Sequence, residues 1–599
     1  MSTGYSAGGQ ARNQEDLLRR FLQRLSSVDP QETITPFSRD GVLPASSAQK
    51  RMWFINQLEG INQSYNTPFV LRLRGQLQVD EIRHAIGDLV SRHESLRTTF
   101  SHSGDEVIQV IAPSLDLDIP CVDMAGLSEQ ERETVMQREL ETAANRPFKL
   151  IGEPLIRATL WRLAPRDHYL MLNIHHIVTD GWSEKILFQE LGSLYSARIA
   201  DREPGLPALD LQYADYAIWE ADLAERDCFS SELSYWTEQL KDAPEVLTLP
   251  CTRPRSDDAS RAGGWADIDL PSDLVAAISK LQQRDNISLF TIAASALLIL
   301  LHRHSGNEDI IIGAPVANRS RPEWESIVGL FVNTVAIRAE VTSDTPLGDV
   351  LRRVRTASVD ALSHQRVPFD QVVDALQVKR DAGINPVFQV MCTVNDAVPA
   401  PEFPGVSVEL EEMRTLTGKF DLEFKAIHDS MGLKCWFEFP HALFDHAVIQ
   451  DLASDYRTIL TALVTDQSRT VESIPGLPQS RTAHSARCGK LVEDSAQAGQ
   501  RETNPGLEST PNGDRSPTEI QLAAIWSEVL GVPVVPRGAH FFSVGGNSLL
   551  ATKVILRIRK TWNIEPTVRL MFECPVFEDL AVRIGALVKS AQPGSNAGI

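Results

Sequence analysis

The chain has 599 residues, and its 58 Lys and Arg against 79 Asp and Glu give a formal net charge of −21. That balance argues against a general nucleic-acid or anionic-membrane binder, since both need a positive surface. Hydrophobic residues at 43%, charged residues at 23%, 35 Gly and 34 Pro are ordinary globular usage and leave no collagen-like or wholly disordered reading.

At roughly 100–200 residues per domain, the length predicts about three or four folding units. The seven cysteines are scattered singly with no Cys-x-x-Cys pair, which fits neither a disulfide framework nor a zinc site of ordinary spacing. The N-terminus MSTGYSAGGQARNQ lacks the apolar core of a signal peptide. The longest apolar run, Leu289 to Leu301, is interrupted by Thr291 and Ser295 and falls short of the roughly 20 residues of a membrane helix. A soluble cytoplasmic protein is therefore expected. The start Met and the polar end PGSNAGI read as a complete chain.

In chain order, residues 1–35 form a leader whose NQEDLLRRFLQRLSSV segment reads as an amphipathic helix with Leu17, Leu18, Phe21, Leu22 and Leu25 on one side. It either packs on the body or docks another protein. The body, 36–475, alternates helical and strand patterns, which indicates a mixed α/β architecture. Helices are expected at VDEIRHAIGDLVSRH, at LFTIAASALLILLHRH after a cap at Ser288, and at TPLGDVLRRVRTASVDAL. Strands are expected at YNTPFVLRLRG, HYLMLNIHHIV, EDIIIGAPVA and NTVAIRAEV. A body of this length exceeds one comfortable core, so two lobes are expected, 36–215 and 216–475.

Residues 476–515 contain no aromatic residue and are crowded with Ser, Thr, Gly, Pro, Asn and Gln, the composition of a flexible linker. Beyond it, 516–590 reads as a small helical bundle. Its first helix opens with Ser516, Pro517 and Glu519, a capping-box pattern, and stops at Gly531. A second starts at Ser548 and a third follows Pro575. Residues 591–599 read as a disordered tail.

Two constellations carry chemistry. In HYLMLNIHHIVTDGWS, strand alternation sends His175 and His176 to opposite faces, so one ring is held in the structure while the other looks into a cleft. Asp180-Gly181 is a tight-turn dipeptide that can bring the carboxylate back beneath the strand end. A His followed four residues later by Asp suits a base whose surroundings are fixed by a buried carboxylate. No serine or cysteine nucleophile motif is present, which favours direct transfer over an acyl-enzyme. In HFFSVGGNSLLATKV, Ser548 starts a helix behind Gly545-Gly546, where free backbone N–H groups and the helix dipole favour a phosphate.

The body resembles the condensation domain of nonribosomal peptide synthetases, and the C-terminal unit resembles their peptidyl carrier, or thiolation, domain. The motifs recur in the family's order: SSAQKRMWF at 46–54, RHESLRTTF at 92–100, HHIVTDGWS at 175–183, LQYADYAIW at 211–219, IVGLFVNTVAIR at 327–338, HQRVPFD at 364–370 and RDAGINPVFQV at 380–390. The resemblance implies two chloramphenicol-acetyltransferase-like lobes in a V, with the histidine motif in the tunnel between them. It implies amide formation, in which an acceptor aminoacyl amine attacks a donor acyl thioester.

By the same resemblance His176 is catalytic, His175 is structural, and Asp180 and Gly181 complete the motif. Asp180 orients its loop through an arginine, for which Arg319 is the candidate. Ser548 carries 4′-phosphopantetheine, installed from coenzyme A by a separate phosphopantetheinyl transferase. The implied partners are an upstream donor carrier, an adenylation domain acting in trans, and a downstream synthetase or release enzyme. Both histidines are kept, unlike in heterocyclising relatives, and the carrier comes last, unlike in epimerising ones.

Three departures bear on partners. His364-Gln365-Arg366 stands where the family has His-Gln-Asp, and the carrier motif reads Ala539-His540-Phe541-Phe542-Ser543-Val544-Gly545-Gly546. The carrier segment holds eight Lys/Arg and six Asp/Glu, so recognition through apolar contacts near Ser548 is expected. Only about 40 linker residues stand where an elongation module has its adenylation domain, and no nucleotide signature appears, so the amino acid is expected to be activated elsewhere. Two other readings remain open. One is an acyltransferase to a free amine or alcohol with this carrier as donor. The other is a non-catalytic scaffold that recruits carriers.

Overall fold

The computed structural model describes residues 34–60, 63–104, 106–253, 262–378, 384–411, 413, 417–429, 432–477, 515–546, 548–564 and 566–591. The expected leader helix, nearly all of the expected linker and the expected tail lie outside the described residues.

The first lobe runs β1 (Leu43–Pro44), α1 (Ser47–Glu59), β2 (Asn66–Gly75), α2 (Val79–Arg92), β3 (Thr98–Ser103), β4 (Glu106–Ile111), β5 (Cys121–Asp123), α3 (Glu129–Asn145), β6 (Ile156–Ala164), β7 (Asp167–His175) and α4 (Gly181–Ile199). The second runs α5 (Tyr213–Glu225), α6 (Ser230–Gln239), β8 (Gly263–Ile268), α7 (Ser272–Asp285), α8 (Leu289–Ser305), β9 (Asp309–Val316), β10 (Asn333–Glu340), α9 (Leu347–Ser363), α10 (Phe369–Leu376), β11 (Val390–Asp396), β12 (Val406–Glu411), β13 (Leu422–Asp429), β14 (Gly432–Pro440) and α11 (His446–Thr465). The C-terminal unit holds α12 (Pro517–Leu530), α13 (Ser548–Trp562), α14 (Leu570–Glu573) and α15 (Phe577–Ala591). The short α14 adds a turn of helix to the three expected.

Each lobe is built on its own sheet, in strand order β12-β2-β7-β6-β5 for the first and β10-β9-β11-β13-β14-β8 for the second. A side ribbon, β1-β4-β3, completes the first lobe. β12 falls in the second lobe by sequence, yet it pairs antiparallel with β2 from Val406↔Gly75 to Glu411↔Val70 and straps the lobes together. Gly75 makes this possible: its φ is +146°, and a Cβ there would lie 2.2 Å from the Gly405 carbonyl oxygen.

Sequence patterns explain the cores. α8 is apolar nearly all round because it is buried on nearly all sides, with Ala294, Leu297, Leu298 and Ile299 fully inaccessible. The Ser288 side chain caps it by accepting the Thr291 N–H. Among the described residues no single helix is long and apolar enough to cross a membrane. The carrier unit has a separate core of Trp526, Phe541, Ile555, Met571, Phe577 and Leu580.

Candidate functional site

β7 is buried along nearly its whole length and ends at His175, one residue before the expected alternation would place His176. His176 instead begins a 3-10 turn, His176–Val178, and the two rings diverge there. The His175 Nδ1 accepts the Ile177 N–H at 3.1 Å, and its ring meets Phe148 edge-on with centroids 6.0 Å apart. Burial, reinforced by the His176 and Lys419 charges, drives His175 down to about 3, so this ring stays neutral and holds the turn.

The His176 Nδ1 lies 2.6 Å from the Thr179 carbonyl oxygen. A carbonyl only accepts, so Nδ1 carries the proton and Nε2 keeps its lone pair. Burial lowers the imidazole below its ordinary range and Lys419 lowers it further, against the opposing pull of the Thr179 carbonyl and Asp180. The His176 backbone N–H donates to the Tyr65 carbonyl at 2.9 Å, and the Gln49 side chain of α1 donates to the Ile177 carbonyl at 3.3 Å, which fixes the turn from both sides.

Asp180-Gly181 does not make the expected tight turn. Asp180 is extended, at φ −141° and ψ 176°, and is the N-cap of α4, which Gly181 opens. The same residue type serves both purposes, because a short carboxylate can satisfy either turn or helix-start N–H groups. Asp180 Oδ1 accepts the Ser183 N–H at 2.9 Å and its hydroxyl at 2.7 Å, and Oδ2 accepts the Phe331 N–H at 3.0 Å. Arg319 arrives from the second lobe at 3.1 Å from Asp180, the two side chains being 1% and 3% exposed. The guanidinium also donates to the Ile327 and Trp324 carbonyls and the Ser183 hydroxyl, and lies 4.1 Å over the Phe331 ring. A Cβ on Gly181 would meet nothing within 4 Å, so packing does not demand the glycine.

In the C-terminal unit, the expected capping box is present: Ser516 accepts the Glu519 N–H, and Glu519 reaches back to the Ser516 N–H. Ser548 is the first residue of α13. The preceding chain needs both glycines. Gly545 has φ +96°, and a Cβ on Gly546 would lie 2.5 Å from the ring of Phe541, itself packed edge-on to Trp526 in the core. A helix start reached through two glycines, on a rigid aromatic base, fits a phosphodiester-linked arm.

The unit rests on the first lobe through α13. Lys553 Nζ lies 2.6 Å from Glu106 of β4, Arg559 reaches Gln57 of α1 at 3.4 Å, and Phe54 of α1 packs against the carrier core. The described contacts are thus ionic and polar as well as apolar, where apolar recognition was expected.

A family model for the condensation domain matches residues 39–484, and one for the phosphopantetheine attachment site matches 521–584. The chain belongs to the condensation domain family. These domains are the amide-forming acyltransferases of nonribosomal peptide synthetases, and the chain joins one to a domain that carries covalent 4′-phosphopantetheine. The condensation part is 36% identical over 449 residues to one polypeptide of the linear gramicidin synthase of Brevibacillus parabrevis, covering 74% of this chain and 6% of that protein. It is 34% identical over 457 residues to the phosphinothricin tripeptide synthetase PhsC of Streptomyces viridochromogenes, covering 76% of this chain and 42% of that one. The chain therefore spans less than half the length of these curated relatives.

Among solved structures, the X-domain from teicoplanin biosynthesis aligns with TM-score 0.68 at 25% identity, covering 74% of this chain and 99% of that one. The starter condensation domain of rhizomide synthetase aligns at 0.62 and 18%, covering 73% and 100%.

The condensation motifs named from sequence converge in space. The Tyr213 hydroxyl joins the Ser46 hydroxyl at 2.7 Å and also donates to the Leu330 carbonyl. Gly329 presses on the Tyr213 ring, where a Cβ would lie 1.9 Å from Cδ2. Three residues near His176 were not singled out from sequence. Ser183 bridges Asp180, Arg319 and Gly329. Glu184, in the first turn of α4, is pushed up to about 8 by burial and the Asp180 charge. Lys419 acts on both histidines from the second lobe. For Ser183 the three-residue N-cap spacing from Asp180 was a usable signal; Lys419 carried none.

Proposed function

We propose that this chain catalyses amide formation between a donor acyl or peptidyl thioester and the amine of an aminoacyl thioester held on Ser548, with the amino acid loaded in trans by an adenylation domain on another protein. The supporting observation is the commitment of His176 Nδ1–H to the Thr179 carbonyl, which leaves Nε2 as the nitrogen able to take a proton. Ser548 would hold the 4′-phosphopantetheine, whose thiol carries the substrate as a thioester when the arm is attached. His175 and the Asp180–Arg319 pair would keep the turn and the start of α4 in register with the second lobe.

The thioester is already activated, so the larger contribution is confinement of two tethered reactants, which can supply up to about 7–11 kcal/mol. An α-amino group near pKa 8 and an ordinary imidazole near 6.5 already differ by about 2 kcal/mol of proton affinity. Burial and Lys419 make His176 weaker still as a base. That favours a neutral incoming amine, with Nε2 accepting the proton after nitrogen has bonded to the thioester carbon, when the N–H is far more acidic.

The test is to convert Ser548 with a phosphopantetheinyl transferase and coenzyme A, load an amino acid, supply a donor-loaded carrier, and follow intact mass. Product on the Ser548 arm supports the reading. Transfer off that arm to a free amine or alcohol would identify the carrier as donor instead. Equal turnover by the His176→Ala protein would reduce the body to a scaffold for uncatalysed aminolysis.

A further inference from the structure

Lys419 stands at the mouth of a short connection, 417–421, that the second lobe holds on every side. Thr417 forms a β-bridge with Ala262. Gly418 lies so close to the end of β14 that a Cβ would be 2.7 Å from the Pro440 nitrogen. The Lys419 carbonyl accepts the Asn385 side chain at 3.4 Å, the Phe420 ring lies 6.0 Å from Phe388, and the Asp421 N–H donates to the Gln389 carbonyl at 3.1 Å. From this fixed base the Lys419 side chain crosses to the first lobe and sets Nζ 5.1 Å from the centre of the Tyr65 ring. Tyr65 is the residue whose carbonyl takes the His176 backbone N–H at 2.9 Å.

We propose that Lys419 is a positioning residue for the condensation reaction: a cation that the second lobe delivers across the cleft to the histidine turn of the first. This rests on the reading of His176 given above. The ammonium faces a site in which Asp180 is matched by Arg319, His175 is neutral, and Glu184 is held up to about 8. Its field has two effects there. It keeps the His176 imidazole in the neutral form that has a lone pair on Nε2, and it favours negative charge in the same space.

The second effect matches the reaction. As the amine nitrogen bonds to the thioester carbon, the carbonyl π pair moves to oxygen. When the adduct collapses, that pair re-forms the carbonyl, the carbon–sulfur bond breaks, and the proton taken by Nε2 leaves with the sulfur as a thiol. Lys419 exchanges no proton in this sequence; it acts through charge. Because the cation belongs to one lobe and the histidine to the other, the site is complete only when the lobes are apposed.

The experiment compares full-length wild type with Lys419→Gln and Lys419→Arg. His176 is titrated by its rate of carbethoxylation with diethyl pyrocarbonate, read as the mass of its peptide between pH 4.5 and 8. Condensation is followed in parallel with soluble aminoacyl and acyl thioesters of N-acetylcysteamine, so that carrier docking plays no part. Removing the cation relieves the penalty on imidazolium, so in Lys419→Gln the His176 titration moves upward by about half a unit or more, and kcat falls roughly tenfold with KM little changed. Lys419→Arg keeps the charge and retains most of both.

An unmoved His176 titration in Lys419→Gln overturns the proposal, as does equal loss in the Arg and Gln variants with no shift, which marks Lys419 as packing alone. The carbethoxylation readout does not depend on turnover. It therefore stands even if His176→Ala proves active, and failure of the wider reading is seen separately.

Discussion

Arg319 and Asp180, 139 residues apart, form an ion pair sealed from solvent between the two lobes. Desolvation pulls the guanidinium below its ordinary range and Asp180 opposes that, so the pair is held by its full set of partners rather than by charge alone. Removing one member leaves a buried charge behind. We expect Arg319→Met to destabilise the condensation domain by about 3–5 kcal/mol and to abolish turnover. Arg319→Lys should rescue poorly, because a single ammonium cannot serve two carbonyls, Ser183 and Asp180 together. Chemical denaturation of the two variants, with Ser548 loading as the control for an intact carrier, checks this. A fully active Lys variant would show that the fork geometry is dispensable.

The two histidines should fail differently. His176→Ala removes only a side chain at the end of the strand, so folding and Ser548 loading persist while kcat falls about 10²–10⁴-fold, the range for a lost general base. Because the wild-type imidazole lies below its ordinary range, activity should persist into more acid solution than an ordinary histidine would allow. Single-turnover rates between pH 5 and 8 with preloaded carriers measure the limb directly.

His175 should instead report through stability. Its folded value of about 3 lies below the ordinary 6.5, so the unfolded chain binds the proton more readily. The stabilisation is complete above about pH 6.5 and is lost as pH falls from there toward 3, at up to about 1.4 kcal/mol per unit for one proton. Urea midpoints at pH 7, 6, 5 and 4 should therefore fall steeply in wild type and less steeply in His175→Gln. Parallel slopes in the two proteins would show that His175 is protonated in the fold.

What the sequence made legible was local. The Ser516 capping box, the Ser288 cap, the apolar α8 and the helix opening at Ser548 all depend on residues within four positions of one another. Motif order was equally readable, since SSAQKRMWF, LQYADYAIW and IVGLFVNTVAIR each retain side chains that meet only in the fold, as Ser46, Tyr213 and Leu330 do. The Asp180-Gly181 dipeptide was ambiguous because turn and N-cap use the same side-chain chemistry. β12 and Lys419 were hidden for another reason: the strand's partner and the lysine's neighbour lie in the opposite lobe, and nothing in their own spacing encodes that crossing.

In the carrier, Gly546 is a packing requirement. Adding one methyl would drive it into Phe541, whose ring cannot retreat past Trp526. Gly546→Ala should cost about 1–3 kcal/mol of carrier stability, the range for overpacking. It should also slow phosphopantetheinylation of Ser548 while leaving the condensation body active on soluble thioesters. Intact mass after timed transferase treatment checks the first effect, and normal modification kinetics would refute it.

The contact between carrier and body offers a charge-reversal test. Partial burial works against ionisation of Glu106, yet Lys553 and Lys50 together hold its carboxyl below the usual range. Lys553 lies 2.6 Å away and Lys50 3.5 Å, and Glu106 is half exposed, so the pair belongs to the class worth about 0–1 kcal/mol and weakened by salt. Glu106→Lys replaces two attractions with repulsion among three cations, and should slow condensation from the tethered carrier several-fold at low ionic strength. Lys553→Glu in the same protein should recover part of the loss, and both effects should shrink in 0.5 M salt, roughly where the Debye length falls below 5 Å. Soluble thioester substrates, which bypass the carrier, should be turned over equally by all three proteins. Recovery by the double variant would identify this face of α1 and β4 as the seat from which the carrier works; identical rates for all variants with the tethered carrier would mean that catalysis uses another seat.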